Sequence, residues 1–120
     1  MELYKQYLQE RENREVEYDN HCFLTYERDG NAIVVFDIYS DKEVRGTKYM
    51  LEFCNKFYDK MRKDGVEIAY GMTDMSTNGW EYSEKLLLKY GFKFMGIDPT
   101  NINVKNYYYE LNSQEENRRL

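Results

Sequence analysis

The 120-residue chain predicts an α/β (α+β) domain: a mixed, mostly antiparallel twisted sheet with a central βαβ unit and helices on its faces. Three observations carry this. Two β-rich runs, HCFLTYER (21–28) and NAIVVFDIY (31–39), flank Asp29-Gly30, a hairpin signal. From Thr47 to Lys63 the apolar residues Met50, Phe53, Cys54, Phe57, Tyr58 and Met61 recur three or four apart, as on one face of a helix. A short apolar run, Val66–Met72, follows that helix, so the simplest geometry pairs it with 33–39 through a right-handed parallel crossover.

The remaining elements follow in order. Leu3, Tyr4, Tyr7 and Leu8 stand at helical spacing before the polar run from Gln9 to Glu15, which predicts a short one-sided helix over 2–13. After the polar loop 73–77, Asn78 is placed to cap a second long helix, with Glu81 at the capping-box position. Gly91 ends it in a left-handed cap, and 92–97 and 104–111 read as two further strands around a loop with Pro99. The predicted order is α-β-β-α-β-α-β-β, in a single domain over 1–111 with a polar tail over 112–120.

Composition limits the function classes. No run approaches the roughly eighteen apolar residues of a membrane-spanning helix, and the N-terminus lacks the apolar block of a secretory signal, so no membrane partner and a cytoplasmic setting are expected. The net charge of −5 argues against a nucleic-acid partner, which needs a positive footprint. A single histidine, His21, and two distant cysteines, Cys22 and Cys54, predict no metal site. His21 and Cys22 are neighbours whose side chains would point to opposite faces of a strand, which disfavours a Cys/His catalytic pair. Charge is uneven: residues 1–29 carry four basic and eight acidic groups, whereas 41–65 carry seven basic and five acidic. Lys56 to Lys63 read as the solvated face of the central helix, but Lys42, Arg45 and Lys48 precede or open it. There the first helical turn offers unpaired N–H groups and the positive end of the macrodipole, so the turn Val44, Arg45, Gly46, Thr47 and Lys48 is a candidate anion site.

Three segments in this order resemble the GNAT family, the Gcn5-related N-acetyltransferases: IVVFDIYSDKEVRG its fourth strand and pyrophosphate turn, VEIAYGM its fifth strand, and SEKLLLKYGFKFMG its last long helix running into a Gly-Phe pair. The resemblance covers roughly residues 18–111 and implies a GNAT-like fold, acetyl-CoA as cofactor at Val44–Lys48, and acetyl transfer to an amine acceptor. The family's turn reads Gln/Arg-x-x-Gly-x-Gly/Ala. With Arg45 in the first place its small positions are Lys48 and Met50, and with Gly46 in the fourth its first and sixth are Glu43 and Lys48, so neither register restores the pattern. The family's general-acid tyrosine, four residues before the glycine, is replaced by Leu87; Tyr90 is the general-acid candidate nearest to that place, and its alternative reading is packing. Asp37 is the general-base candidate, because alternation puts Val35, Asp37 and Tyr39 on one strand face, either toward a substrate groove or toward solvent. Most of the family's N-terminal region is also missing. The alternative function is a catalytically inactive module of this fold that binds a protein partner or forms a homo-oligomer; its aromatic surface would be the cluster Tyr107, Tyr108 and Tyr109. A residue usage rich in Lys, Asn, Tyr and Glu suits a phage or low-GC bacterial source, which adds a virion component or a host-protein-interacting protein to that alternative.

Overall fold

The computed structural model describes residues 1–111; the polar tail expected over 112–120 lies outside them. The order is α1 (Glu2–Tyr7) continued by a π-helical turn (Leu8–Glu12), β1 (Glu15–Tyr18), β2 (Cys22–Asp29), β3 (Ala32–Ser40), α2 (Tyr49–Lys63), β4 (Ile68–Asp74), α3 (Trp80–Tyr90), β5 (Lys93–Asp98) and β6 (Asn101–Glu110). The six strands form one sheet in the order β1-β2-β3-β4-β6-β5. Only β3 and β4 pair in parallel, across the α2 connection; every other pair is antiparallel. No helix among the described residues is long and apolar enough to cross a membrane.

Four expectations are corrected. The helix expected over 2–13 is α-helical only to Tyr7, widens into the π turn, and stops where Asn13 turns left-handed at φ +55°. Polar residues then form an unanticipated strand, β1, in which Val16 alone is buried. Val16 and Tyr18 alternate with Glu15 and Glu17, but a run of four residues is too short to read as a strand. The strand expected from Val66 begins at Ile68, because Val66 is spent in the core closing α2, its N–H donating to the Met61 carbonyl at 3.0 Å. Asn78 does not cap α3: Gly79 at φ +83° holds that place, and no side chain caps the helix.

α2 and α3 cover one face of the sheet. Tyr58 of α2 meets Tyr90 at the end of α3, Phe92, and Tyr109 of β6 with ring centroids 5.0, 5.8 and 5.7 Å apart. Gly71 on β4 lets α3 approach, since a Cβ there would lie 3.2 Å from Leu87. Leu24, Ile33, Val35, Phe57 and Tyr58 are almost wholly buried in this core, and each large apolar side chain so buried contributes about 1.5–3 kcal/mol of transfer free energy. The N-terminal segment covers part of the other face, burying Leu8 and, opposite Thr25, Val16, and setting Tyr4 edge-on to Phe23 at 5.9 Å.

The feature that shapes the functional region is a bulge in β3. Thr25 pairs with Asp37 while its neighbour Tyr26 pairs with Val35, so Phe36 is an extra residue in the strand. This corrects the expected alternation: Val35 is buried beneath α2, whereas Asp37 and Tyr39 lie exposed on the opposite face, and Ser40 turns back into the core. A single inserted residue inverts every side chain beyond it relative to an unbulged strand.

Candidate functional site

β3 and β4 separate beyond the bulge. Their parallel pairing spans only Ala32↔Ile68, Ile33↔Ala69 and Val34↔Tyr70, after which β3 stays with β2 to Ser40 and β4 with β6 to Asp74. The gap is a cleft in the sheet, and along it the strands lack each other as hydrogen-bond partners. Two cavities meet there, sharing Ile38, Tyr39 and Ser83. One, of about 510 Å³, is lined by Ser40, Arg45, Asn78, Gly79 and Tyr82, between the loop into α2 and the start of α3. The other, of about 540 Å³, lies toward the N-terminal segment and is lined by Tyr4, Arg14, Phe23, Asp37, Asp74 and Trp80 among others.

The first cavity carries the candidate anion site. Arg45 is fixed by a hydrogen bond from its Nε to the Ser40 carbonyl at 2.9 Å and by its guanidinium lying 5.2 Å from the Tyr39 ring centre, which leaves both Nη groups for a ligand. Gly46 sits at φ +78°, a conformation that an L side chain rarely adopts. Lys48 is exposed at the N-cap. The backbone N–H groups of Arg45, Gly46, Lys48, Met50 and Leu51 have no acceptor among the described residues, as expected where a loop enters a helix. Val44 and Thr47 contribute differently: Val44 is buried and its carbonyl accepts the Thr47 hydroxyl at 2.6 Å and N–H at 3.2 Å, which folds the turn. Ser40 Oγ, in a residue only 3% exposed, is buried without a partner beside this cavity. A buried polar atom left unpaired costs about 1–3 kcal/mol, so a hydrogen-bonding ligand there would recover it.

Met50, one of the two bulky residues at the positions where small ones were expected, is only 2% exposed and belongs to the core beneath the sheet. It does not occupy the cavity. The other, Lys48, remains at the mouth of the turn as a cation.

A brace missed from the sequence holds the turn from the side. His21 Nδ1 lies 2.8 Å from Asp41 Oδ2 and 3.8 Å from Glu43 Oε2, and the Asp41 N–H donates to the His21 carbonyl at 2.9 Å. Asp19 accepts the N–H groups of His21 and Cys22, both at 2.8 Å, and the Tyr49 hydroxyl at 2.8 Å, tying the β1–β2 loop to the first residue of α2. His21, Asp41 and Glu43 are the one group of metal-ligating side chains gathered among the described residues, with ligand atoms within 4.8 Å of one another. Spacing in the chain could not reveal it, because twenty residues separate His21 from Asp41. Both cysteines are poor nucleophiles: burial pushes the Cys22 thiol up to about 11 and the Cys54 thiol up to about 12.

The His21 brace has a testable pH signature. The hydrogen bond to Asp41 raises the His21 pKa above its ordinary value. Its contribution is therefore fully present below the unfolded value of about 6.5 and is lost as pH rises through the raised folded value. Between pH 6 and pH 8.5 the thermal midpoint of the wild type is expected to fall more than that of His21→Asn; parallel curves would show that the pair contributes nothing.

The second cavity holds the general-base candidate. Asp37 Oδ2 accepts the buried Thr25 hydroxyl at 2.9 Å and lies 3.9 Å from Arg14, whose guanidinium sits 3.8 Å from the centre of the Phe36 ring. The structure thus brings Asp37 to the cleft beside the cavity that contains Arg45. It does not bring Tyr90, which packs among Tyr58, Phe92 and Tyr109 in the core and lines neither cavity. Leu87, at the expected tyrosine position, is buried against Gly71. Two phenols line the cofactor-side cavity: Tyr39, already beneath the Arg45 guanidinium, and Tyr82 of α3. Beneath the cleft, Glu84 of α3 accepts the Tyr107 hydroxyl and pairs with Lys105 at 2.5 Å, while Tyr107 also meets Thr73 at 3.1 Å, fastening α3 to the sheet. Burial first, then the Glu84 carboxylate, pushes Tyr107 up to about 12. Of the expected aromatic surface, Tyr107 and Tyr109 are buried.

Solved structures share this architecture. The PaiA N-acetyltransferase from Thermoplasma acidophilum, in complex with coenzyme A, matches with a TM-score of 0.69 over 90% of this chain and 69% of that one, at 13% identity. An acetyltransferase of the GNAT family from Staphylococcus aureus matches with a TM-score of 0.64 over 80% of this chain and 65% of that one, at 16% identity. Ard1 from Thermoplasma volcanium matches with a TM-score of 0.60 over 75% of this chain and 62% of that one, at 10% identity. This is the GNAT fold. The chain spans less than two thirds of the length of the last two proteins. No family model matches the sequence, and neither does any curated protein. At such identities the likeness establishes the GNAT architecture alone, and the chemistry must be argued from this chain's own residues.

Proposed function

We propose that the protein binds acetyl-CoA across the cleft and transfers the acetyl group to an amine. The observation that carries this is the pair of cavities meeting at Ile38, Tyr39 and Ser83, one rimmed by Arg45 and unpaired backbone donors, the other by carboxylates and aromatic rings. An anionic cofactor fits the first and a cationic acceptor the second, so the two reactants would meet through the gap in the sheet. Arg45, Gly46 and Lys48, with the first N–H groups of α2, would hold the pyrophosphate; Val44 and Thr47 would shape the turn. Unpaired donors along the parted strands could receive the thioester oxygen as it gains negative charge.

The neutral amine nitrogen attacks the thioester carbon, the C–N bond forms, and the C–S bond breaks with its electron pair leaving on sulfur. Asp37 is the group placed to accept the proton that the nitrogen loses, and a proton returns to the thiolate. Of the two phenols on the cofactor side, Tyr39 and Tyr82, Tyr82 is our candidate for that return, since Tyr39 lies against the Arg45 guanidinium. Most of the acceleration in such a transfer comes from holding the two reactants together, an effect worth up to about 7–11 kcal/mol.

Titration calorimetry with acetyl-CoA and with desulfo-CoA tests the reading. Binding should also raise the stability by about 2.7 kcal/mol at a ligand concentration of a hundred times Kd. Arg45→Ala should weaken it in a salt-dependent way, because a guanidinium–phosphate contact is partly Coulombic. Absence of binding by both ligands would overturn the proposal and leave the chain as an inactive module of the fold.

A further inference from the structure

The sheet has two edge strands, β1 and β5. β1 is four residues long and carries Glu15 and Glu17, the latter paired with Lys60, so it is short and charged in the manner of a protected edge. β5 is longer, and its Phe94, Met95 and Ile97 are between 45 and 55% exposed. Unpaired backbone groups beside exposed apolar side chains form a surface on which a further strand can add. β5 is also bulged: Phe94 pairs with Tyr107 and Gly96 with Asn106, so Met95 is an extra residue. Phe94 and Ile97 therefore share the α3 side of the sheet, Phe94 with its ring centre 5.9 Å from that of Tyr107 and Ile97 opposite Lys105, which pairs with Glu84 of α3. Lys93, opposite Tyr108, and Asp98, which accepts the Asn106 side chain at 3.1 Å, share the other side. In a regular strand two residues five apart point to opposite faces, so it is the bulge that puts Lys93 and Asp98 together.

This pattern is complementary to itself. Laid antiparallel against a second β5 about a two-fold axis, with Met95 opposite the partner's Gly96, the strand sets Phe94 against the partner's Ile97 and Lys93 against the partner's Asp98. Each pairing occurs twice, and the members of each lie on one face, as direct neighbours in an antiparallel pair must. Neither Lys93 nor Asp98 has an oppositely charged partner among the described residues, and Asp98 is already fixed by Thr100 and Asn106. We propose that the protein forms a symmetric dimer through β5, the two six-stranded sheets joining into one, with an apolar seam on the α3 side and two ion pairs on the other. A bulge and a lysine ordinarily turn other strands away from an edge. Here they leave one register open, and only a strand bulged at the same place fits it. Each copy has a single β5, so the pairing closes at two. No residue of β5 lines either cavity, and the dimer is independent of the acetyl-transfer reading.

Sedimentation equilibrium from about 1 μM to about 1 mM protein should show monomer giving way to dimer. Across the same range amide hydrogen exchange should slow in β5 and not in β1. Ile97→Glu places an exposed carboxylate opposite Lys105, so the chain should fold normally, and the dimer should weaken at least about a hundredfold because that charge now faces the partner's Phe94. Lys93→Glu sets like charges against each other and should weaken it at least about tenfold at low salt, and less at high salt. A monomer throughout the range would overturn the proposal and leave the edge to a strand of another protein. Growth beyond a dimer, slowed exchange in β1 in place of β5, a dimer that survives Ile97→Glu, or one indifferent to Lys93→Glu would overturn it as well.

Discussion

Deletion of Phe36 is expected to yield a folded protein with a closed cleft that no longer takes up acetyl-CoA. The residue is the extra one in a bulge, opposite the step between Thr25 and Tyr26. Its removal would let Asp37 follow Val35 directly, and simple alternation would then keep Asp37 and Tyr39 on the face they already occupy, with Ile38 and Ser40 turned to α2. Side-chain burial is therefore preserved, and the thermal transition should remain cooperative. What is lost is the local bend and added twist that a bulge imposes. A regular β3 can continue its parallel ladder with β4 beyond Val34 and Tyr70, where the observed pairing stops. Amide hydrogen exchange checks this without any ligand: the backbone of β3 beyond Val34 should become more protected, and calorimetry should show acetyl-CoA binding weakened by at least about a hundredfold. Unchanged protection, or wild-type affinity for acetyl-CoA, would show that the bulge does not hold the cleft open.

Met50→Ala is expected to cost about 2–5 kcal/mol of stability and to bring no gain in acetyl-CoA affinity. By the family pattern Met50 is the bulky intruder at a position for a small residue, so sequence comparison alone would forecast the reverse, a freer site at little cost. The side chain is buried in the core with Phe53, Cys54 and Phe57, and its removal leaves a void between α2 and the sheet rather than room beside Arg45. Lys48→Ala tests the other departure and should do the opposite: exposed at the N-cap, it leaves the denaturation midpoint nearly unchanged and weakens acetyl-CoA binding, more at low salt than at high. If Met50→Ala binds the cofactor more tightly than the wild type, the placement of the turn is wrong. The contrast separates two residues that the motif treats alike.

The hairpin at Asp29-Gly30, the stripe from Met50 to Met61 and the crossover to β4 were legible because each is a local pattern: a turn dipeptide, a helical period, a run of apolar residues between breakers. The turn from Val44 to Lys48 was found in the same way, since a helix start is a local event. β1 was not, because its burial of Val16 depends on β2 alongside it and on the N-terminal segment above it. Tyr90 and Tyr82 lie on one helix, yet their positions send one into the aromatic core and the other to the cleft. Helical periodicity identifies faces, but which face meets a cavity depends on where the strands part.

Turn chemistry and hydrophobic period act over a few residues, and from them the chain alone shows every main element but β1, their order and the βαβ unit at their centre. The site came from packing between distant segments. The bulge at Phe36 put Val35 on the face opposite Asp37 and Tyr39, Met50 was drawn into the core, and His21 was joined to Asp41 and Glu43 across the β1–β2 loop. Each of these depends on strand register or on packing between distant segments, and no period along a single chain encodes either. Asp37, Asp74 and Arg14 face one cavity because three separate elements converge on the gap between β3 and β4, and convergence in space is a property of the folded chain alone.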